Sequence, residues 1–444
     1  GKPDNDFLVY LPVYDMWNDI PGRFVGFDIH KMDQYAPKFI KTIQTIMAGG
    51  YDVDYISDSF IKSTSCQDGM LKTSGGACYK ALIVPAVKLI PVSTLKKLVA
   101  LARQGATVVF VEHYPEDVPG YASLKQNREQ LFALLEQLPG EKSFRGTQAF
   151  NFGKGRIIVG SDYHETLERT GVPAEELKTR WGVQFIRRTH TEGHHYFISN
   201  LQANDVEGWV TLNVPEKYIM CFDPMTGKRG IAKTREVEGK TQVYMQLKSG
   251  ESIILQTFTR SLQGEPEWKY RKEMDYSLSL DHGWKLRFVE SYPAIEGEFK
   301  IDTPSSWTEV AHPAAKINRG TALYSLELDL PELSADDWVL DLGDVRESAR
   351  VRINGQEAGV AWAAPFRLSI GQLLKSGKNL IEVEVTNLPV NSIAEMDRQG
   401  KQWRIFEDIN MAKLNYEKGT YGHWETLPSG LNGIVRLIPV KYLF

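Results

Sequence analysis

Three cysteines in 444 residues, Cys66, Cys78 and Cys221, are too few for a disulfide framework, and none sits in a C-x-x-C zinc spacing. Long apolar runs are missing as well. Nothing approaches the roughly 18 residues that suggest a membrane helix, and the opening GKPDND has no signal-peptide apolar core. That opening reads as what is left after a leader or tag is removed, or as a cut inside a longer protein, so it carries no targeting information. Charge of one sign is scarce: a net charge of -4 with 24% charged and 42% hydrophobic residues describes a soluble globular protein. It lacks the basic footprint of a nucleic-acid binder. Neither G-x-x-x-x-G-K-[ST] nor a well-placed G-x-G-x-x-G follows a strand, which removes a phosphate cradle. Cysteine chemistry reduces to one open question. Cys66 and Cys78 bracket CQDGMLKTSGGAC and either close one clip in an oxidising compartment or stay free thiols, since spacing alone cannot supply the required geometry.

The length exceeds what a single core usually holds, which predicts three domains. From residue 7 to about 165, apolar runs (FLVYLP, YDVDYIS, YKALIVP, ATVVFVE) alternate with helical patterns. Leu95, Leu98, Val99 and Ala102 form one apolar stripe, Gly105 stands where a C-terminal cap is needed, and Leu131, Leu134, Leu135 and Leu138 repeat the stripe. Continuous runs such as ALIV and TVVFV suit strands buried on both faces, hence a doubly wound, mostly parallel α/β domain over residues 1–178. Past about residue 180 helical periodicity fades and turn signals crowd in, predicting a small β-sandwich over 179–260. Residues 262–276 are polar and read as a connector. The last part, 261–444, shows period two in Ala322, Tyr324, Leu326, Leu328 and Leu330, and Asn354-Gly355 predicts a type I′ hairpin turn. A β-sandwich or jelly roll closes the chain.

Ligands of open α/β sheets sit beyond the carboxyl ends of the strands. There stand Tyr14, Asp15, Met16 and Trp17, then His30, and later Glu112, His113 and Tyr114. His30 or His113 as general acid or base, partnered by Asp15 or Glu112, is the catalytic reading; loop residues that satisfy the backbone are the competing one. At the expected nucleophile elbow the chain has Pro85-Ala86 and no nucleophile. Cys221, in IMCFDP, reads as a buried thiol. His190, His194 and His195 tempt a metal reading, but adjacent His194 and His195 on a strand point to opposite faces, so a hairpin tip is favoured. In the last domain Trp362, Trp403, Tyr421, His423 and Trp424 lie in Gly-rich, loop-like stretches near Arg367. Flat rings beside hydrogen-bonding groups suit sugars, with core filling as the alternative for each Trp. Trp362, Arg367, His423 and Trp424, with Trp17 as a further contact, are therefore the candidate carbohydrate-binding residues.

Three motif pairs carry a resemblance: FLVYLPVYDMW with GYDVDYISDSFI, FISN with CFDPMTGK, and VRINGQEAGVAWAAPFRLSI with LPSGLNGIVRL. Together they resemble the C-terminal half of family 106 glycoside hydrolases, the α-L-rhamnosidase-like enzymes. The last pair is similar to the galactose-binding-like β domain of family 2 glycosidases, and the first domain resembles a flavodoxin- or glutamine-amidotransferase-like fold without its nucleophile. The resemblance implies an accessory part of a glycan-degrading enzyme, periplasmic or extracellular, contacting carbohydrate such as rhamnose-containing glycans. In the family the catalytic carboxylates and their calcium belong to an N-terminal (β/α)₈ barrel of roughly 250 residues. This chain has no room for that barrel, so no catalytic residue carries over, and calcium is allowed by the resemblance alone. A barrel in cis would be the partner; a free-standing carbohydrate binder, or a hydrolase with its site around Asp15 and His30, are the alternatives.

Overall fold

In the computed structural model, which describes residues 1–19, 32–140, 146–330, 334–404 and 419–444, the chain divides into two compact units, Gly1–Trp268 and Lys269–Phe444. The border expected at 178/179 falls inside the first unit. Among the described residues no helix is long and apolar enough to cross a membrane.

The first unit contains a six-stranded sheet ordered Val53–Ile56, Phe7–Tyr10, Ala81–Val84, Thr107–Val111, Gly155–Gly160, Thr147–Phe152. All its pairings are parallel except the last, an antiparallel edge. Alternation sorts its apolar runs onto two faces. Leu8, Tyr10, Leu82, Val84, Val108 and Phe110 pack against Leu95, Leu98, Val99 and Ala102 of helix Val92–Gln104. Phe7, Val9, Ala81, Ile83 and Val109 pack against Phe39, Ile43 and Ile46 of helix Pro37–Ala48. Runs such as ALIV are apolar throughout because both faces are covered. Gly105 ends its helix at φ +133°, a conformation that a side chain would strain.

The same unit holds an antiparallel sheet, Lys2–Pro3, Gln184–His190, Gly193–Ser199, Ser252–Phe258, Tyr218–Phe222, Arg229–Ile231, and a three-stranded one, Val206–Leu212, Lys240–Leu247, Thr234–Val237. They share a core that includes Tyr196, Ile198, Val210, Leu212, Ile219, Val243 and Leu255. Two features tie this part to the parallel sheet. The chain's first strand belongs to the antiparallel sheet, pairing Pro3 with Arg188. Arg187 is buried and bonds Asp4, Asp6 and Glu175 at 2.5, 2.9 and 2.8 Å. Tyr196 donates to the same Glu175 at 2.7 Å, and Lys80 pairs with Asp6 at 2.8 Å. Burying such charges is tolerable because each has an opposite partner.

The expected connector 262–276 is more than a linker. Within the first unit Trp268 donates its amide to Ile231 and packs on the core. Within the second, Tyr270–Glu273 is a strand on Arg436–Leu443, with Tyr270 buried. Polarity misleads there because an edge strand needs few apolar side chains.

The second unit is built from a six-stranded antiparallel sheet, Glu298–Ile301, Trp284–Tyr292, Arg319–Leu330, Gly377–Thr386, Ser348–Ile353, Gln356–Ala361, and a second sheet in which Arg436–Leu443 and Asp337–Asp341 are central. Leu286, Tyr324, Val351 and Val383 of one meet Leu340 and Leu437 of the other in a single core. The predicted hairpin is present, with Asn354 and Gly355 at φ +54° and +79°.

The disulfide left open by the sequence is not formed; all three cysteines are free. Cys66 and Cys78 lie on the outer strands of the small sheet Ser65–Gln67, Met70–Lys72, Cys78–Tyr79. Two strand spacings separate them, about 9–10 Å, beyond the roughly 7 Å limit for bridged Cα atoms. Cys66 shares a row with Leu71 and Tyr79, so Cys78 projects to the opposite face.

Candidate functional site

The carboxyl ends of the parallel strands were the first place to look for chemistry. After Phe7–Tyr10 the short helix Val13–Asp19 presents Tyr14, Asp15, Met16 and Trp17. Asp15 is committed to structure: its two carboxylate oxygens accept the backbone amides of Lys88 and Leu89, both at 2.7 Å, holding the segment that leaves Ala81–Val84. Met16 is buried. Trp17 is 57% exposed and rests edge-on against Tyr14, with ring centres 5.8 Å apart. His30 lies outside the described residues. Asp58, which sequence reasoning passed over, accepts Tyr10 Oη at 3.1 Å and Thr94 Oγ1 at 2.5 Å. Burial first, then this carboxylate, pushes the Tyr10 hydroxyl far above its usual range. Glu112 is exposed with φ +65°, and His113 Nδ1 stands 2.8 Å from the Tyr114 carbonyl oxygen. Pro85-Ala86 offers no nucleophile, and burial raises the Cys221 thiol well above its ordinary value.

The histidines follow the hairpin reading. His190 and Gly193 pair at the tip, while His194 and His195 lie opposite Thr189 and Arg188 on alternate faces. His194 Nδ1 meets Glu216 Oε2 at 3.0 Å, and the His190 and His195 rings are 4.5 Å apart. Among the described residues no three His, Cys, Asp or Glu side chains converge as a metal would require.

In the second unit the candidate aromatics lie in segments that follow strand ends of the six-stranded sheet. Ala361 pairs with Ala349 beside the last pair of the neighbouring ladder, Ser348 with Thr386. Trp362 follows directly and is 60% exposed. From Thr386 the chain runs into helix Val390–Arg398, whose C-terminal residues organise a ladder of rings. Trp403 and Tyr421 are 5.8 Å apart, Tyr421 and Trp424 4.4 Å, and the Arg404 guanidinium lies 5.1 and 5.3 Å from the Trp403 and Tyr421 rings. Asp397 pins two of them, accepting Trp403 Nε1 at 2.5 Å and the Tyr421 amide. The Tyr421 amide first, then the Trp403 indole, holds the Asp397 carboxyl below its usual range. Arg398 fixes the third, donating to the carbonyls of Gly422 and Trp424 at 2.8 and 2.7 Å. Trp424 is 36% exposed and His423 beside it is exposed.

The structure thus unites Trp424 with Trp403 and Tyr421, with His423 next to Trp424 in the chain, and leaves Trp362 exposed just past the strand Gln356–Ala361. It separates Arg367 from that role. Arg367 sits on a strand and forms ion pairs of 3.0 Å with both Glu273 and Asp341, so its charge is spent on holding the second sheet. Asp397, Arg398 and Arg404 were missed in the sequence; the polar run MDRQGKQWR after an amphipathic helix was their only signal.

Residues 22–234 match the family described as alpha-L-rhamnosidase, glycoside hydrolase family 106. A solved rhamnosidase from Novosphingobium sp. PP1Y superposes with a TM-score of 0.69 at 22% identity, covering 98% of this chain and 39% of that one. At that identity the likeness speaks to the fold, which is mostly β-sheet with few helices. A putative beta-glucuronidase from Formosa agariphila is 29% identical over 197 residues, 40% of this chain and 17% of that protein. The chain therefore spans well under half the length of either relative.

Proposed function

Because this chain is a glycoside hydrolase family 106-like protein, we propose that it is the accessory, non-catalytic portion of a longer α-L-rhamnosidase-like enzyme and contacts glycan through the ring ladder of its second unit. The observation that carries the reading is the lopsided match to the solved rhamnosidase, nearly complete for this chain and 39% for that one. It is supported by the site: Asp15 is occupied by two backbone amides, whereas Trp424 presents a ring face on a pinned support. In this reading residues 1–178 are the amidotransferase-like domain, 179–260 the small sandwich, and 261–444 the galactose-binding-like jelly roll. A catalytic barrel in cis supplies the carboxylates, rhamnose-containing glycans are the substrate class, and the protein works in the periplasm or outside the cell. Trp424, Trp362 and His423 make the contact, since planar apolar rings beside polar groups match the face and rim of a sugar.

Two measurements test it. The chain alone should leave an aryl α-L-rhamnoside unhydrolysed, and titration calorimetry with rhamnose-containing oligosaccharides should give saturable heat that Trp424→Ala removes. Turnover abolished by Asp15→Asn would overturn the accessory reading in favour of an independent hydrolase. Heat that survives in Trp424→Ala would remove the ladder as the contact.

A further inference from the structure

A second surface, in the first unit, has the makings of a ligand site built from other residues. The three-stranded sheet buries Val210, Leu212, Val243 and Met245 on one side. Alternation therefore turns Glu207, Trp209 and Thr211, with Gln242, Tyr244 and Gln246, to the other. The register makes three rows: Glu207 opposite Gln246, Trp209 opposite Tyr244, and Thr211 opposite Gln242, which in turn faces Arg235. The two aromatic rings are 5.4 Å apart, edge to face. The rows beside them are braced: Tyr244 Oη and Gln246 Nε2 donate to Glu207 Oε1 at 2.6 and 3.1 Å, and Gln242 Nε2 donates to Thr211 at 3.1 Å. Burial first, then the bond to Glu207, pushes the Tyr244 hydroxyl up to about 12.

Arg235 is held from two sides. Its guanidinium lies 4.3 Å from the Trp209 ring centre, and its Nε donates to Gln242 Oε1 at 2.8 Å. Among the described residues nothing accepts from its two terminal nitrogens. A stacked and tethered guanidinium has already given up most of its rotamer freedom, and its unused edge is the planar fork that matches a carboxylate with two parallel hydrogen bonds. The side-chain amides of Gln242 and Gln246 and the aromatic row suit the hydroxyls and apolar face of a sugar ring. Glu207 limits the occupant. It lies four residues along the strand from Thr211, about 13 Å, and would repel a second carboxylate placed over that end.

We propose that this sheet face binds a uronic-acid residue of a glycan, with Arg235 taking the carboxylate, Trp209 and Tyr244 the sugar ring, and Glu207 excluding an adjacent acidic residue. The proposal stands apart from the reading of the ring ladder, because different residues in a different unit carry it.

Titration of the whole chain with an oligosaccharide that carries one galacturonic-acid residue among neutral sugars, and with its methyl ester, tests the site, the ester keeping every ring and removing the charge. The acid should bind at least tenfold tighter than the ester. Arg235→Gln should weaken the acid at least tenfold, and Arg235→Lys, which keeps the charge and loses the fork, at least threefold. Glu207→Gln should strengthen binding of a fully acidic oligogalacturonide, whose second carboxylate the native Glu207 repels. Lys217→Gln, which removes a charge paired with Glu236, should leave affinity unchanged, as should Trp424→Ala. Absent binding of the acid, equal binding of acid and ester, or equal losses in Arg235→Gln and Lys217→Gln would each overturn the proposal. Should Arg235→Gln melt early, Arg235→Lys and Glu207→Gln decide the matter by moving affinity in opposite directions or failing to.

Discussion

Trp17 and Trp424 are both exposed tryptophans that the sequence offered as sugar contacts, and they are supported in different ways. Trp17 lies near the end of a short helix and, among the described residues, touches one ring, Tyr14, edge-on. Asp15, two residues before it, accepts two backbone amides with its carboxylate. Trp424 belongs to a stack of three rings, its carbonyl is held by Arg398, and Asp397 fixes the two rings behind it. A ring that binds sugar gains most when its orientation is set beforehand, because ordering costs are then not charged to binding. Exposure alone does not distinguish these tryptophans; the side chains behind them do.

The comparison can be broken at several points. The largest effect should come from Arg187→Leu, which leaves Asp6 and Glu175 buried without their common cation; urea unfolding should show a loss of about 3–5 kcal/mol. A change under 1 kcal/mol would mean that the first unit does not depend on this cluster. Asp15→Ala should cost about 2 kcal/mol, since two hydrogen bonds from backbone amides to a charged acceptor are lost. Unchanged stability would return Asp15 to the list of residues free for chemistry. Trp424→Ala should cost about 1 kcal/mol, the scale of one aromatic pair, and Trp17→Ala less, so their melting curves should lie close together. A severely lowered melting temperature for Trp424→Ala would make it a core residue and sink its role as a platform.

The smallest effect is in acid. The Asp397 carboxyl titrates below its ordinary value, so its contribution is complete above the unfolded-state pKa of about 3.9 and is lost as pH falls through the folded-state value. Tryptophan fluorescence of the ladder should be flat from pH 7 to 5 and should change below about pH 4. Asp397→Asn should lack that acid transition. A transition that persists in the variant would assign it to another carboxylate.

Much of the fold was legible because period and burial are tied together. Leu95, Leu98, Val99 and Ala102 had to share a helix face, and ALIV and TVVFV had to be covered on both sides. The turn at Asn354-Gly355 was legible because few residue pairs accept positive φ at both positions. The site was less so. Nothing in YDMWND shows that Asp15 accepts from Lys88 and Leu89, 73 and 74 residues away. Arg367 looked like a sugar-binding arginine until Glu273 and Asp341 were found beside it.

What the sequence by itself determined is the class of each segment: parallel αβ units first, antiparallel strands afterwards, and aromatics concentrated in the final loops. These follow from local spacing, which each residue shares with neighbours a few positions away. Only the tertiary structure decided which charged groups are occupied and which remain open. Arg187 and Arg367 are spent on carboxylates brought from distant parts of the chain, while Arg235 is stacked and tethered with no acceptor on its fork among the described residues. The reason is physical: a charge's partners are set by distances through space, and apolar periodicity, which fixes the fold, carries no information about them.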